Sequence, residues 1–190
     1  MKKFIVIAIA AVLMAAGAGS AIAAQDKGGV MIDGTLSLAT EPAGSFGTTV
    51  GLGVGASVDF TDRMKLSDKN AKIHLRGDLT YYEWDDTQFG FDVSCRRIIA
   101  FGGGRYFLPM GGRSGVAPYL EGGVELSYDR AEVAAPFFGK VSATEINLGL
   151  AGGAGLELPL ADNLVLGFNG RLHLIADSFI TLGASLGVKF

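Results

Sequence analysis

The sequence predicts an all-β fold, an eight-stranded antiparallel up-and-down transmembrane β-barrel preceded by a signal peptide. Three observations carry that prediction. The stretch Phe179–Phe190 alternates without a break: Ile180, Leu182, Ala184, Leu186, Val188 and Phe190 are apolar, and Thr181, Gly183, Ser185, Gly187 and Lys189 lie between them. Period-2 alternation over twelve residues marks a strand with two different environments. At about 3.3 Å per residue and a tilt of roughly 40°, such a strand climbs about 30 Å, enough to cross an apolar membrane band. Second, 49% of residues are hydrophobic and only 18% charged, with mean hydropathy +0.37, yet no run after the N-terminus is long enough for a membrane helix. Third, seven more alternating segments precede the last one, each joined to the next by a short connection.

The N-terminus is read separately from the fold. Lys2 and Lys3 form a basic region, Phe4–Met14 an apolar one, and Ala15–Ala24 a small-residue segment with Ala21-Ile22-Ala23 as cleavage site. Residues 1–23 therefore read as a cleaved, Sec-type signal peptide and 24–190 as one barrel domain. The alternative, an uncleaved anchor helix, is disfavoured by the small, weakly hydrophobic second half. With no lipobox cysteine, no lipid anchor is expected.

Strand one is predicted over Val30–Ala39, with Ile32, Leu36 and Leu38 opposite Asp33, Thr35 and Ser37. Residues 40–47, with Pro42 and Gly44, read as a loop. Thr48–Phe60 is the clearest internal strand: Val50, Leu52, Val54, Ala56, Val58 and Phe60 point out, and Gly51, Gly53, Gly55, Ser57 and Asp59 point in. Residues 61–70 read as a polar turn. Ala71–Tyr82 is strand three, where Lys72, His74, Arg76, Asp78 and Thr80 alternate with apolar neighbours. So many ionisable groups on one face are intolerable in lipid, so that face must look into the barrel.

Glu83–Gly90 reads as an acidic loop. Phe91–Leu108 fits less well, because Asp92, Ser94 and Arg96 share one parity and Arg97 and Arg105 the other. A β-bulge near Cys95–Arg97, or a strand end projecting above the membrane, reconciles them. Pro109–Gly115 is a turn. Val116–Tyr128 is strand five, with Tyr119, Glu121, Glu125 and Ser127 inward, and Asp129–Lys140 is the longest loop. Val141–Leu158 is strand six, with Glu145, Asn147 and Glu157 inward, and Pro159–Asn163 a tight turn. Leu164–Ala176 is strand seven, with Asn169, Arg171 and His173 inward, and Asp177-Ser178 connects to strand eight. A membrane forces such a meander to close, since an open edge leaves backbone groups unpaired in lipid. Aromatics near strand ends suggest two girdles: Phe60, Tyr106, Phe107 and Phe190 at one, and Tyr81, Trp84, Tyr128 and Phe179 at the other.

Composition excludes several classes. A net charge of −3 argues against nucleic acid as partner. Twenty-nine glycines against five prolines exclude collagen and a proline-rich linker. The single cysteine, Cys95, cannot form an intrachain disulfide, and no Cys/His cluster suggests a metal. No cofactor is expected.

The stretches Gly102–Leu108, Pro118–Val124, Gly155–Leu166 and the terminal Gly183–Phe190, taken in order with the signal peptide and the final Phe, resemble the small eight-stranded outer-membrane barrels of the OmpA barrel domain, OmpX and OmpW-like type. The resemblance implies a Gram-negative-type outer-membrane location, reached by export to the periplasm and insertion. It implies Phe190 as a C-terminal assembly signal read by the barrel-assembly machinery. The surroundings would be outer-membrane lipid and lipopolysaccharide, and the barrel a monomer. The chain departs from full OmpA in stopping at the barrel, without a peptidoglycan-binding module, and its upper loops are modest.

An eight-stranded barrel is just wide enough for side chains to fill it. Arg76, Asp78, Glu121 and Arg171 are expected to meet near mid-height, with Glu125 and His173 also inward, as a polar plug and not an open pore. A structural, porin-like envelope barrel is therefore the leading expectation. The alternatives are a small-solute pore or hydrophobic-compound transporter, and an adhesion module using the Pro136-Phe137-Phe138 loop. Enzymes exist on this fold, but a hydrolytic triad needs a nucleophile near a His base; in the nearest candidate, Arg171–Ser178, His173 points inward with no serine two residues on, whereas a lipid-acting triad should face the membrane. No catalytic residues are expected.

Overall fold

A computed structural model describes residues 29–40, 47–64, 71–88, 91–109, 115–135 and 139–190. Residues 1–28, which include the expected signal peptide 1–23, most of the 40–47 and 61–70 connections, residues 89–90 and 110–114 and the Pro136-Phe137-Phe138 segment lie outside the described residues. Eight strands form one closed antiparallel barrel in sequence order: β1 Val30–Ala39, β2 Thr49–Asp59, β3 Lys72–Gln88, β4 Phe91–Phe107, β5 Ala117–Ala135, β6 Gly139–Ala161, β7 Leu164–Leu174 and β8 Phe179–Lys189. β1 pairs with β8 from Met31↔Lys189 to Ala39↔Thr181, so no edge is left within the wall. A short helix, α1, covers Thr61–Met64 after β2, where the Thr61 N–H donates to Asp59 Oδ1 at 2.9 Å.

The alternation sorts side chains as a membrane requires. Leu36, Leu79, Val124, Leu148, Leu172 and Leu182 are exposed on the outside, where lipid would cover them, while the opposite parity is buried. Among the described residues no helix is long and apolar enough to cross a membrane.

The wall is uneven in height. β3–β6 have 17, 17, 19 and 23 residues, whereas β1, β2, β7 and β8 have 10 or 11. Most of the predicted Glu83–Gly90 and Asp129–Lys140 loops is therefore strand, and the predicted Pro159–Asn163 turn shrinks to two residues, with a register shift at Pro159/Ala161. The apolar band ends at a sharp row, Tyr81, Ile98, Tyr128 and Ile146, which are paired neighbours. The next outward row is Glu83, Arg96, Arg130 and Thr144. Above the band a strand can carry charge on both faces, so its sequence looks like that of a loop. This also settles β4. Its register with β3 and β5 is unbroken, so no bulge exists at Cys95–Arg97; Asp92, Ser94 and Arg96 face outward above the band.

Candidate functional site: the charged lumen

Inward parity delivers a continuous ionic chain to the middle of the barrel. Arg76 donates to both oxygens of Asp33 (2.6 and 2.9 Å) and, through Nε, to Asp78 Oδ2 at 3.0 Å. Arg171 reaches Asp78 with Nη1 and Nη2 (3.2 and 3.0 Å) and Glu121 with Nε at 2.9 Å. Arg105 continues the chain from Glu121 Oε2 (2.9 Å) to Glu157 Oε1 (3.1 Å). Six of the eight strands contribute, and four carboxylates face three guanidiniums. Burial of these groups is tolerable because every charge is paired and most carboxylate oxygens accept a bond. The Arg171 Cζ lies 4.0 Å over the Phe101 ring, and that of Arg105 4.3 Å over Tyr119.

Glycine makes the packing possible. β2 carries no side chain at Gly55, where an added Cβ would stand 2.5 Å from Arg76 Nη2. That gap lets Asp33 on β1 meet Arg76 on β3 across the intervening strand. Inside the network the remaining cavity is about 20 Å³, room for roughly one water.

Above this layer Glu125, His173 and Thr181 form a line: His173 Nδ1 is 2.7 Å from Glu125 Oε2, and Nε2 is 3.0 Å from Thr181 Oγ1. His173 stacks on Phe179 with centroids 4.3 Å apart. Hydroxyl, imidazole and carboxylate in that order recur in nucleophilic triads. Here all three are buried in the lumen, and the line braces β5, β7 and β8.

The upper end is closed by a cluster of Ala39, Tyr82, Trp84, Ile99, Ile175 and Phe179, against which half-buried Cys95 packs. Arg97 lies over the Trp84 and Phe179 rings and pairs with Asp129, which also accepts from Ser127 Oγ and Asn147 Nδ2.

Of the six residues singled out from sequence, Arg76, Asp78, Glu121 and Arg171 are in the ionic chain, and Glu125 and His173 pair beside it. Sequence reasoning misses that Asp33, Arg105 and Glu157 join that chain; the glycine at the facing position of β2 is the available signal for Asp33. Three corrections follow. Trp84, Phe107 and Phe179 point into the lumen and are not girdle residues, although Tyr106, Tyr128 and Phe190 do lie exposed outside. Glu145 has inward parity but stands above the rim, exposed. Arg97, ambiguous in sequence, is a buried lumen residue. Among the described residues no His/Cys/Asp/Glu group could hold a metal ion.

Residues 8–190 match the family model for the outer membrane protein β-barrel domain. A search of curated proteins finds no match. Among solved structures, the chain is similar to a major outer membrane protein from Thermus thermophilus (12% identity, 87% of this chain and 100% of that one, TM-score 0.58). It is likewise similar to Ail, the attachment invasion locus protein of Yersinia pestis, solved with the heparin analogue sucrose octasulfate (16% identity, 86% and 97%, TM-score 0.56). At these identities the likeness shows the fold.

Proposed function

The chain belongs to the outer membrane protein β-barrel domain family and resides in the cell outer membrane, and on that premise we propose that it is a closed structural barrel, non-enzymatic, serving envelope integrity. One observation carries this: a buried bidentate ion pair, Arg171 to Asp78, joins β7 and β3, four strands apart in an eight-stranded ring. A lumen bridged across its diameter, with an aromatic cap above, supports a plug over a pore. The burial of the Thr181–His173–Glu125 line supports a structural role for it over a catalytic one. The taller end, formed by two long hairpins, would face outward, and the chain termini would face the periplasm. Leader removal would leave residues 24–190 to insert as a monomer among outer-membrane lipid and lipopolysaccharide. The β8 strand with exposed Phe190 would engage the barrel-assembly machinery.

The test is deletion and complementation. Loss of the gene should sensitise cells to bile salts and large antibiotics without changing uptake of small solutes. Slower growth on small solutes as the sole defect would favour transport instead.

A second reading, surface binding, is favoured by the projecting sheet. β6 pairs with β7 only from Leu150 downward, so its Gly139–Glu145 backbone, above the band that ends at Ile146, has an unpaired edge. Exposed strand edges accept extended peptides. Ser142→Pro should abolish any cell or matrix binding while leaving the barrel folded; unchanged binding would count against this reading.

A further inference from the structure

Above the row of Tyr81, Ile98, Tyr128 and Ile146 the wall changes sense. Within the band the outward parity is apolar and the inward parity is largely polar and charged. In the projecting part of β4, β5 and β6 the outward side chains are polar, with Ser94, Glu132 and Ser142 in one cross-strand row. The inward ones there are apolar. Cys95, Ala131 and Ala143 form one row, and Val93, Val133 and Val141 the next. Val133 is 40% exposed and Val141 70% exposed, so this apolar face grows more open toward β6.

The face runs out to the unpaired β6 edge. Val141 and Ala143 belong to the edge strand itself, so one surface offers free backbone groups and an apolar floor together. One row lower, the inward residues are Arg97, Asp129 and Glu145. Arg97 pairs with Asp129, whereas the exposed Glu145 has no ion-pair partner among the described residues. With two carboxylates to one guanidinium, the lower end of the edge is negative on its inner side.

From this geometry we infer that the β6 edge takes an extended peptide segment of alternating polarity, antiparallel to Gly139–Glu145. Its apolar side chains would face Ala143 and Val141, a basic one would face Glu145, and polar ones would lie between. The inference rests on the surface-binding reading above and adds the side-chain code of the partner. A strand added to an edge inherits the alternation of the sheet, so every second residue of the partner must turn to the inner face. Backbone hydrogen bonds attach such a strand whatever its sequence, and antiparallel pairing is the more stable form. Selection comes from the floor, because a valine that leaves water against Val141 gains burial that a threonine forgoes.

The test uses the purified barrel in lipid nanodiscs and an end-blocked, fluorescently labelled peptide, Lys-Thr-Val-Thr-Val-Thr-Val, read by anisotropy. The wild type should bind it saturably. Replacing the three valines by threonine, or the lysine by glutamate, should weaken binding at least tenfold. V133T/V141T should weaken the original peptide at least tenfold, and E145K should recover binding of the glutamate peptide. S142P should abolish binding of every peptide. Gel mobility before and after heating confirms that each variant is folded. If the wild type binds the valine and threonine peptides alike and S142P binds neither, the edge reading stands and the inference is overturned. Equal affinity for the lysine and glutamate peptides would also overturn it. No saturable binding to the wild type, or undiminished binding to S142P, would overturn both.

Discussion

Arg171 Nη2 and Asp78 Oδ2 lie 3.0 Å apart although 93 residues separate them in sequence, and the bond runs from one wall of the barrel to the facing one. Each partner is shared, Asp78 with Arg76 and Arg171 with Glu121. The lumen is thereby cross-linked in layers, which an eight-stranded ring needs if its charged interior is to be stable.

Removing one partner should expose that dependence. Arg171→Leu leaves Asp78 and Glu121 undercompensated and should destabilise the barrel by about 3 kcal/mol, the lower end for a broken buried pair because each acid keeps one other arginine. Urea unfolding in lipid vesicles measures it. A double-mutant cycle of Asp78→Asn with Arg171→Gln should return a coupling of about 1–3 kcal/mol. Strict additivity would mean that the two groups do not interact in the folded barrel.

Trp84 is the chain's single tryptophan and is 4% exposed, inside the upper lumen beside Tyr82 and Arg97. Its emission in the folded protein should be quenched by neither brominated lipid nor aqueous iodide. Strong quenching by brominated lipid would return it to the girdle.

Two outward positions measure the membrane band. Val124 lies outside within the band, and Ser142 lies on the same outer face of β6 above it. Val124→Arg should cost about 2–4 kcal/mol of folding free energy in vesicles, as for a charge near mid-membrane. Ser142→Arg should stay within about 0.5 kcal/mol. Equal costs would contradict the placement of the band's upper edge.

Adjacent glycines separate the two faces of β4. A Cβ at Gly103 would meet the Phe101 ring at 2.6 Å as well as the Gly122 carbonyl, whereas at Gly102 it meets nothing within 4 Å. Gly103→Ala should therefore cost about 1–3 kcal/mol through overpacking. Gly102→Ala should be neutral or stabilise by about 0.4–1 kcal/mol, since it restricts the unfolded chain.

Much of this architecture is legible in the sequence because a strand's period of two is rigid: once Asp33, Arg76 and Arg171 are placed inside, every neighbour's side follows. The β1 boundaries, Val30–Ala39, and the outward leucines of β5, β7 and β8 come directly from that rule. Trp84 shares its parity with Arg76 and Asp78, so alternation alone puts it inside; the expectation that aromatics at strand ends form girdles overrides the better signal. Glu145 fails for the opposite reason, because parity gives a face but not a height, and a strand of 23 residues outruns the barrel. Which acid meets which base depends on side-chain reach across glycine gaps such as Gly55. That reach is a property of the closed ring and of no single strand.

The most direct measurement is single-channel recording of the purified barrel in planar bilayers. The cross-linked lumen predicts no stable unitary conductance from the wild type, and measurable conductance from a folded Arg76→Ala/Arg171→Ala variant. Steady ion flow through the wild-type barrel, unchanged in that variant, would contradict it.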